Sequence, residues 1–331
     1  MTWTKMFLAP LAAGLLLLAS GCTGGSAPAE GGSSATSTET AGKKLKIGIS
    51  VPSADHGWTA GVIYWAEEAK KKYPDVEFNL QTADSAQTQI SQVEAMMTQG
   101  MDGLVILAHE SAPLTPVAKK VHERGIYLVN VDRGFLEPIA DVFVAGDNKA
   151  FGRKSAEFMV EKLGGKGKIL ALRGAPSTVD TDRFESAMEV FKAKGIEVLD
   201  AQPGDWNPDK AFSVTQAMLV KHPQVDAIWA SDDDMAEAVE KALKDAGRKN
   251  VWILGGAGKK EIVKRVMDKD PIFPANVTYP PSMISKGIDI AVADLKAGKK
   301  AGGAPQRQEI IDVEIITPEN AKDFYFPDSP F

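Results

Sequence analysis

The turn after the first predicted strand contains Asp55, His56 and Trp58. Together they supply a carboxylate, an imidazole and an indole. The segment before them ends at Pro52, alternates apolar residues and is rich in β-branched types, so it predicts a strand that leads into a helix. A carboxylate accepts hydrogen bonds, and an indole face packs on C–H groups. The set therefore indicates a binding site for a hydroxylated molecule. The alternative is that Asp55 caps the helix and Trp58 belongs to the core.

Polar or aromatic residues also follow five other predicted strands. They are Glu110, Asp132, Arg133, Thr181, Arg183, Trp206 and Asp232. Carboxylates accept hydrogen bonds in pairs and a guanidinium group donates in a planar fork, so Asp and Arg together can hold vicinal hydroxyls. Although these residues are far apart in sequence, we expect them to face one cleft.

The elements that must position these residues are strands and helices that alternate from residue 43 onward. The pattern restarts after Asn148. Continuous apolar runs such as GLVIL suit parallel strands that are buried on both faces. Two successive sets of βα units predict an α/β fold with two doubly wound parallel-sheet lobes. Such sheets bind ligands at the carboxyl ends of their strands, which is where the polar residues fall.

The first 21 residues have the pattern of a secretory signal: one positive charge at Lys5, a short apolar run and small residues at its end. The run is too short for a comfortable membrane span. The following LLASGC resembles a lipobox, which predicts a lipid on Cys22, the chain's single cysteine. The alternatives are an ordinary signal cleaved nearby or a buried cysteine. Residues 22–42 are rich in Gly, Ser, Ala and Thr and predict a flexible tether, so we expect an exported, lipid-anchored protein.

The charge balance argues against a nucleic-acid partner. Without residues 1–21 the chain has 37 Lys and Arg against 44 Asp and Glu, a net charge of −7. Because Cys22 is assigned to the anchor, the folded part has no disulfide and no thiol nucleophile. We also expect no cofactor and no metal, since the acidic run SDDDM is placed to cap a helix start and GGAGKK lacks the first Gly and the Ser or Thr of a phosphate-binding loop.

Five segments in register resemble one family. They are VDR, VAGDNKAFGRKSAEFM, GAPSTVDTDRFESAM, DAIWASDDDMAEAVEKAL and VWILGG. The chain resembles the periplasmic sugar-binding proteins of ABC transporters, in the ribose-binding-like group of type I solute-binding proteins, from about Lys43 to Pro305. The resemblance implies the type I periplasmic binding protein fold, with two lobes joined by a three-segment hinge.

The resemblance also implies roles for individual residues. It implies aromatic stacking by Trp58 and Trp206, hydroxyl binding by Asp132 and Arg133, and ligand contacts by Asp232 and Tyr279. His56 stands where ribose binders have Asn. Two departures make ribose itself doubtful: Ala257 replaces a sugar-binding carboxylate, and Thr181 replaces an Arg, which leaves Arg183 as the arginine of its segment.

The family's hinge implies three crossovers between lobes, which we expect near Gly146–Lys149, Pro280–Met283 and Ala304–Gln308. The predicted first lobe is 43–147 plus 282–304, and the second is 148–281 plus 305–331. Ligand would stabilise the closed form, which a transporter would read.

The predicted function is capture of a small sugar, polyol or cyclitol by a monomeric protein that delivers it to an ABC transporter permease. A binding protein that serves a chemoreceptor or sensor kinase remains an alternative with the same site chemistry. An exported carbohydrate-active enzyme is a weaker alternative, because nothing in the sequence supplies either Asp132 or Asp232 with the apolar surroundings that would raise its pKa. A sugar-responsive repressor would need a helix-turn-helix where this chain has its signal and tether.

Overall fold

The computed structural model describes residues 44–327 and 330–331. The predicted signal at 1–21, the lipidation at Cys22 and the tether at 22–42 lie outside the described residues and stay predictions. The strands are β1 Lys46–Pro52, β2 Glu77–Ala83, β3 Gly103–Ile106, β4 Tyr127–Val131, β5 Val142–Gly146, β6 Gly167–Arg173, β7 Ile196–Pro203, β8 Ala227–Ala230, β9 Trp252–Leu254, β10 Asn276–Val277, β11 Arg307–Ile311 and β12 Ile315–Ile316. The helices are α1 Gly57–Lys71, α2 Ala86–Gln99, α3 Ser111–Glu123, α4 Asn148–Lys162, α5 Thr178–Lys194, α6 Pro208–Lys221, α7 Asp233–Asp245, α8 Lys260–Met267 and α9 Met283–Lys296.

The first lobe is built on a parallel sheet with the strand order β11-β5-β4-β3-β1-β2. Its central strands β3 and β4 are buried along their whole length, as their continuous apolar runs predict. Helix α9 returns from the second lobe and packs against α1 and β4. All these strands run parallel, so their carboxyl ends lie at one edge of the sheet.

The second lobe is built on a smaller parallel sheet with the order β7-β6-β8-β9. Strand β8 is fully buried, and Trp229 in it has no exposed surface. Helices α4 and α5 pack against each other, and α6 packs against α7. The two sheets confirm the predicted α/β fold with two doubly wound lobes.

The third crossover lies later in the chain than predicted. Strand β11 pairs in parallel with β5, from Arg307 opposite Val142 to Ile311 opposite Gly146, so it belongs to the first sheet. The short strand β12 then pairs antiparallel with β10 beside the second lobe. The chain therefore crosses after Ile311 and not near Ala304–Gln308. The predicted second lobe includes all of 305–331, and with it the segment EIIDVEIITPEN. Its first apolar pair, Ile310 and Ile311, lies in the first sheet, and only its second pair, Ile315 and Ile316, lies beside the second lobe.

Two helices also differ from the sequence pattern. Helix α8 was not predicted, because its apolar residues Ile262, Val263 and Val266 make only one short stripe. The segment RFESAMEVFKAKG predicts a helix that starts at Arg183, but α5 begins five residues earlier, at Thr178, because Ser177 caps it by accepting a hydrogen bond from the Asp180 N–H. Within the described part of the chain, no helix is long and apolar enough to span a membrane.

Candidate binding site between the lobes

A cavity lies between the two lobes, where strands of both sheets end. Its lining residues are polar or aromatic with two apolar exceptions: His56, Trp58, Asp132, Arg133, Val179, Arg183, Trp206, Asp232, Ala257 and Tyr279. The space between them, with its open side included, is about 330 Å3. Eight of these ten residues are candidate site residues from the sequence analysis. The two that are farthest apart in sequence, His56 and Tyr279, are separated by 223 positions and line the same cavity.

Asp132 and Tyr279 form the centre of a hydrogen-bond chain that joins the lobes. Asp132 follows β4 in a left-handed conformation with φ of 64° and is buried. Tyr279 Oη donates to Asp132 Oδ1 at 2.5 Å and accepts from Asn148 Nδ2 at 3.1 Å. Arg183 Nε donates to Asn148 Oδ1 at 2.9 Å. These hydrogen bonds therefore connect the carboxylate of Asp132 in the first lobe to the guanidinium group of Arg183 in the second lobe.

Burial has the largest effect on the pKa values of Asp132 and Tyr279 in this hydrogen-bond chain. It raises the pKa of Asp132, against the opposing charge of Arg133 and the hydrogen bond from Tyr279. It also raises the pKa of Tyr279, and the neighbouring charge of Asp132 raises that pKa further. Tyr279 thus stays a hydroxyl that can donate to Asp132 at any ordinary pH.

The two arginines are fixed by backbone carbonyls and aromatic rings. Arg133 Nη1 donates to the carbonyl oxygen of His109 at 2.6 Å, and its Nε lies 3.9 Å from Asp132 Oδ2. Arg183 Nη1 donates to the carbonyl oxygen of Ser231 at 2.7 Å. The Arg183 guanidinium carbon lies 3.9 Å from the centre of the Phe151 ring and 4.2 Å from that of Tyr279. Such stacking fixes the plane of the guanidinium group.

The two tryptophans present their rings in different ways. Trp58 Nε1 donates to the carbonyl oxygen of Tyr279 at 2.9 Å, so its N–H is used within the protein and its ring surface is what lines the cavity. Trp206 has φ of 60° and follows Asp205, which has φ of 57°. Its ring lies on Gly174, where an added Cβ would be 1.7 Å from a ring carbon. Only glycine at position 174 allows this placement of the Trp206 ring.

Asp232 has two roles in the structure. Its Oδ1 accepts a hydrogen bond at 2.8 Å from the backbone N–H of Met235, which caps helix α7, and the side chain also lines the cavity. Burial raises the pKa of Asp232 well above its ordinary value, and the charge of Asp234 adds to this. Within residues 44–327 and 330–331, no three His, Cys, Asp or Glu side chains are grouped to hold a metal ion.

Three residues that the sequence assigned to the site do not line the cavity. Thr181 is exposed in the first turn of α5, where its Oγ1 donates to the carbonyl oxygen of Ser177 at 3.1 Å, because the helix begins earlier than predicted. Glu110 precedes α3 with its side chain 39% exposed. Asp55 is also exposed.

Asp55 instead supports His56, which does line the cavity. Asp55 Oδ1 lies 2.6 Å from His56 Nδ1 and accepts from Thr59 Oγ1 at 3.0 Å. Burial opposes ionisation of Asp55, but these hydrogen bonds and the charge of His56 outweigh it and lower its pKa to about 2. The residue that precedes α1 as its N-cap is His56, so the alternative of Asp55 as the helix cap is wrong.

Sequence reasoning missed Val179 as a lining residue and Asn148 as the link between Tyr279 and Arg183. Asn148 lies two residues after the end of β5, so the rule that located the other residues near strand ends would have found it. Nothing in the sequence indicates that Val179 lines a cavity, because an apolar residue near a helix start normally predicts a core position.

The sequence profile of a family described as the periplasmic binding protein domain matches residues 47–300. The ribose import binding protein of Bacillus subtilis is 26% identical over 258 residues, which is 78% of this chain and 84% of that protein. The xylitol-binding protein of Mycolicibacterium smegmatis is 28% identical over 252 residues, 75% of this chain and 71% of that protein.

Solved structures agree in fold. A Caulobacter myo-inositol-binding protein superposes with a TM-score of 0.79 at 22% identity, over 85% of this chain and 96% of that one. The fructose-binding periplasmic domain of a hybrid two-component system superposes with a TM-score of 0.77 at 27% identity, over 85% of this chain and 93% of that one. Members of this family are solute-binding proteins and not enzymes. The two lobes, the cavity between them and these matches together show that the chain belongs to the periplasmic binding protein family, in its ribose-binding-like type I group.

Proposed function

We propose that this protein captures a small, neutral, polyhydroxylated molecule in the interlobe cavity and delivers it to an ABC transporter permease. The observation that carries the proposal is the pairing of two buried carboxylates, Asp132 and Asp232, with two buried guanidinium groups, Arg133 and Arg183, around one cavity. The family membership makes a sugar, a polyol or a cyclitol the expected class of ligand.

Charge balance favours a neutral ligand. The two Asp side chains and the two Arg side chains cancel when ionised, so neither a phosphate nor an ammonium group would find a net countercharge. A hydroxyl both donates and accepts, and it can bridge a carboxylate and a guanidinium group at once. Among the described residues nothing donates a hydrogen bond to the Oδ2 atoms of Asp132 and Asp232, which leaves these atoms for ligand hydroxyls.

Size and polarity narrow the class further. The cavity is small, since ten residues enclose it, and it fits a molecule of monosaccharide size or smaller. Val179 and Ala257 form an apolar part of the wall. The resemblance to ribose binders implies a sugar-binding carboxylate at the position of Ala257. We expect the ligand to present C–H groups there. The missing carboxylate argues against ribose within the class of small sugars, polyols and cyclitols.

The lipid anchor belongs to the same proposal. A lipid on Cys22 would hold the protein at the outer face of the cell membrane, facing the periplasm or the cell exterior. We propose separately that the protein is a monomer. Replacement Cys22→Ser is expected to move the protein from the membrane fraction to the soluble fraction. A protein that stays in the membrane fraction would refute lipidation at this residue.

A role in sensing is the second candidate. The similarity to the fructose-binding domain of a hybrid two-component system, at 27% identity over 85% of this chain, supports it. The site chemistry is the same in both roles, and only the partner differs. Measuring uptake of the identified ligand by cells that lack this protein distinguishes the two roles. A transport role predicts loss of uptake. A sensing role predicts unchanged uptake and loss of the cellular response to the ligand.

A thermal-shift screen tests the ligand class. The soluble chain from Ala41 is heated with pentoses, hexoses, deoxysugars, tetritols, pentitols and inositols. A ligand at a thousandfold its Kd adds about 4 kcal/mol to the free energy of unfolding, which raises Tm clearly. The shift should disappear in Asp132→Ala and Trp206→Ala and persist in Thr181→Ala, a control outside the cavity. A folded protein without any shift across the panel would refute the proposal.

A further inference from the structure

The N-terminus of α1, in the first lobe, contacts a carboxylate of the second lobe. The backbone N–H of Trp58 donates to Asp234 Oδ2 at 3.2 Å. Both residues are about 5% exposed, so water does not compete freely for this hydrogen bond. A carboxylate at a helix N-terminus is also attracted by the helix dipole. Asp234 lies outside the cavity lining, two residues beyond Asp232.

Asp234 is held in place by a cation of its own lobe. Lys259 Nζ donates to Asp234 Oδ1 at 2.9 Å and to Glu237 Oε2 at 2.6 Å. Burial lowers the pKa of Lys259, but the charges of Asp234 and Glu237 outweigh it and the net pKa is raised. Lys259 therefore remains charged and fixes one oxygen of Asp234, while the other faces α1.

The approach of the lobes at this point is close enough to require a glycine. An added Cβ on Gly57 would lie 2.9 Å from Asp234 Oδ1 and 3.1 Å from Oδ2, and 3.2 Å from the Phe331 ring. Gly57 has no positive φ, so its own backbone would accept alanine. What excludes a side chain at residue 57 is the presence of the facing lobe.

A second interlobe contact involves different residues. The backbone N–H of Gly134, in the first lobe, donates to Thr178 Oγ1 of the second lobe at 2.9 Å. The backbone N–H of Thr178 donates to Ser111 Oγ of the first lobe at 3.2 Å. These hydrogen bonds are between neutral groups, so each contributes less than the charged one at Asp234.

We propose that Asp234 sets ligand affinity without touching the ligand, by holding the lobes closed through the N-terminus of α1. The inference rests on the proposed function, since closure matters only if the cavity is a ligand site. Ligand binding and closure are linked, so the apparent Kd rises as the closed population falls. Asp234 is thus a positioning residue that acts through the lobe to which it belongs.

The test measures the distance between lobes directly, in the full chain with Cys22→Ser. Spin labels on cysteines at the exposed positions Lys119 in α3 and Lys192 in α5 report that distance by pulsed electron resonance. Each protein is measured alone and with D-ribose, xylitol or myo-inositol. Asp234→Ala removes the acceptor, Gly57→Ala adds one methyl group at the contact, and Glu237→Ala is the matched control.

We expect the ratio of closed to open molecules to fall by about tenfold in Asp234→Ala and in Gly57→Ala. Glu237→Ala should keep the wild-type ratio, because it removes a partner of Lys259 and leaves the contact with Trp58. The Tm of ligand-free Gly57→Ala should be unchanged or raised, since alanine is the better helix former; this separates loss of closure from loss of folding.

Three results would overturn the inference. They are wild-type distance distributions in Asp234→Ala and Gly57→Ala, an equal loss of closure in Glu237→Ala, and a wild-type protein without a closed population under any of the conditions. Failure of the proposed ligand class looks different. In that case none of the three compounds changes the distances in any protein, while the ligand-free distributions still differ between wild type and Asp234→Ala.

Discussion

Replacement Tyr279→Phe removes one oxygen atom at the centre of the interlobe hydrogen-bond chain. Asp132 Oδ1 loses its donor at 2.5 Å, and Asn148 Nδ2 loses its acceptor at 3.1 Å. A hydrogen bond to a charged group contributes about 1.5–3 kcal/mol, and a buried donor without a partner costs about 1–3 kcal/mol. We expect the free energy of unfolding to fall by about 2.5–6 kcal/mol.

The same change weakens ligand binding and makes it more sensitive to acid. The hydrogen bond from Tyr279 lowers the pKa of Asp132, against the larger effect of burial, which raises it. Without Tyr279 Oη the pKa of Asp132 rises further, so the carboxylate gains a proton at a higher pH and loses an acceptor for ligand hydroxyls. The Kd of a ligand found by the screen should rise at least about tenfold, or 1.4 kcal/mol, at neutral pH.

Tyr127→Phe is a matched control in the first lobe. Tyr127 is 4% exposed, and its Oη donates to Asp294 Oδ2 at 2.6 Å. Asp294 keeps ion pairs with Lys299 at 2.7 Å and Arg307 at 3.1 Å, so we expect a smaller loss of about 1–2 kcal/mol. Ligand affinity should not change, because Tyr127 is remote from the cavity lining.

Urea unfolding gives the stability of both variants, and isothermal titration calorimetry from pH 5 to pH 8 gives their affinities. In Tyr279→Phe the loss of affinity on the acid side should begin at a higher pH than in wild type. Equal effects of the two variants on affinity, or a Tyr279→Phe protein with wild-type affinity and pH profile, would refute the role of Tyr279 as the support of Asp132.

Two further predictions concern Gly174 and Asp233. In Gly174→Ala the added Cβ, 1.7 Å from the Trp206 ring, must displace the ring, so calorimetry should show a Kd raised at least about tenfold with only a modest fall in Tm. Burial raises the pKa of Asp233 to about 7, so between about pH 4 and pH 7 the folded protein keeps a proton that the unfolded chain has lost. This contribution makes the free energy of unfolding fall as pH rises, by up to about 1.4 kcal/mol per pH unit, and Asp233→Asn should flatten that slope in urea unfolding.

Each of these two predictions can be refuted by its own measurement. Unchanged affinity in Gly174→Ala would mean that the Trp206 ring does not contact the ligand. An identical pH slope in wild type and Asp233→Asn would mean that the Asp233 carboxyl is already ionised in the folded protein across this range. The slope is the measured quantity, because Asn at position 233 also changes the hydrogen bonds with Lys259 and Asn276.

The site residues that could be predicted from the sequence are those that lie one or two positions after a buried strand. Asp132 follows β4 and Asp232 follows β8, and parallel strands bring their carboxyl ends to one edge whatever the length of the connections. Apolar runs are enough to define such strands, so the fold and these residues follow from the sequence. Arg183 and Trp206 were found by the same rule, although helix and loop geometry finally place their side chains.

The errors have local causes. Thr181 was assigned to the site as if it lay in a loop, but α5 begins at Thr178 and turns its side chain to solvent, and a one-residue step along a helix rotates a side chain by about 100°. Asn148 also follows a strand, but its place at the start of α4 indicates a helix position and not a link between Tyr279 and Arg183. The crossover was predicted too early in the chain, because the five residues of β11 do not by themselves indicate which sheet they join. Their pairing with β5 depends on the tertiary structure.

The double use of Asp232 restricts how ligand preference can change during evolution. The side chain that lines the cavity also accepts the Met235 N–H that starts α7, and loss of such a cap costs about 0.5–2 kcal/mol. Position 232 can therefore change with little loss of stability only among Asp, Asn, Ser, Thr and Gly, which all serve as helix N-caps but differ in charge and in hydrogen-bonding groups. Descendants of this protein that recognise other molecules should therefore carry one of these residues at position 232, because α7 needs its cap whatever the ligand.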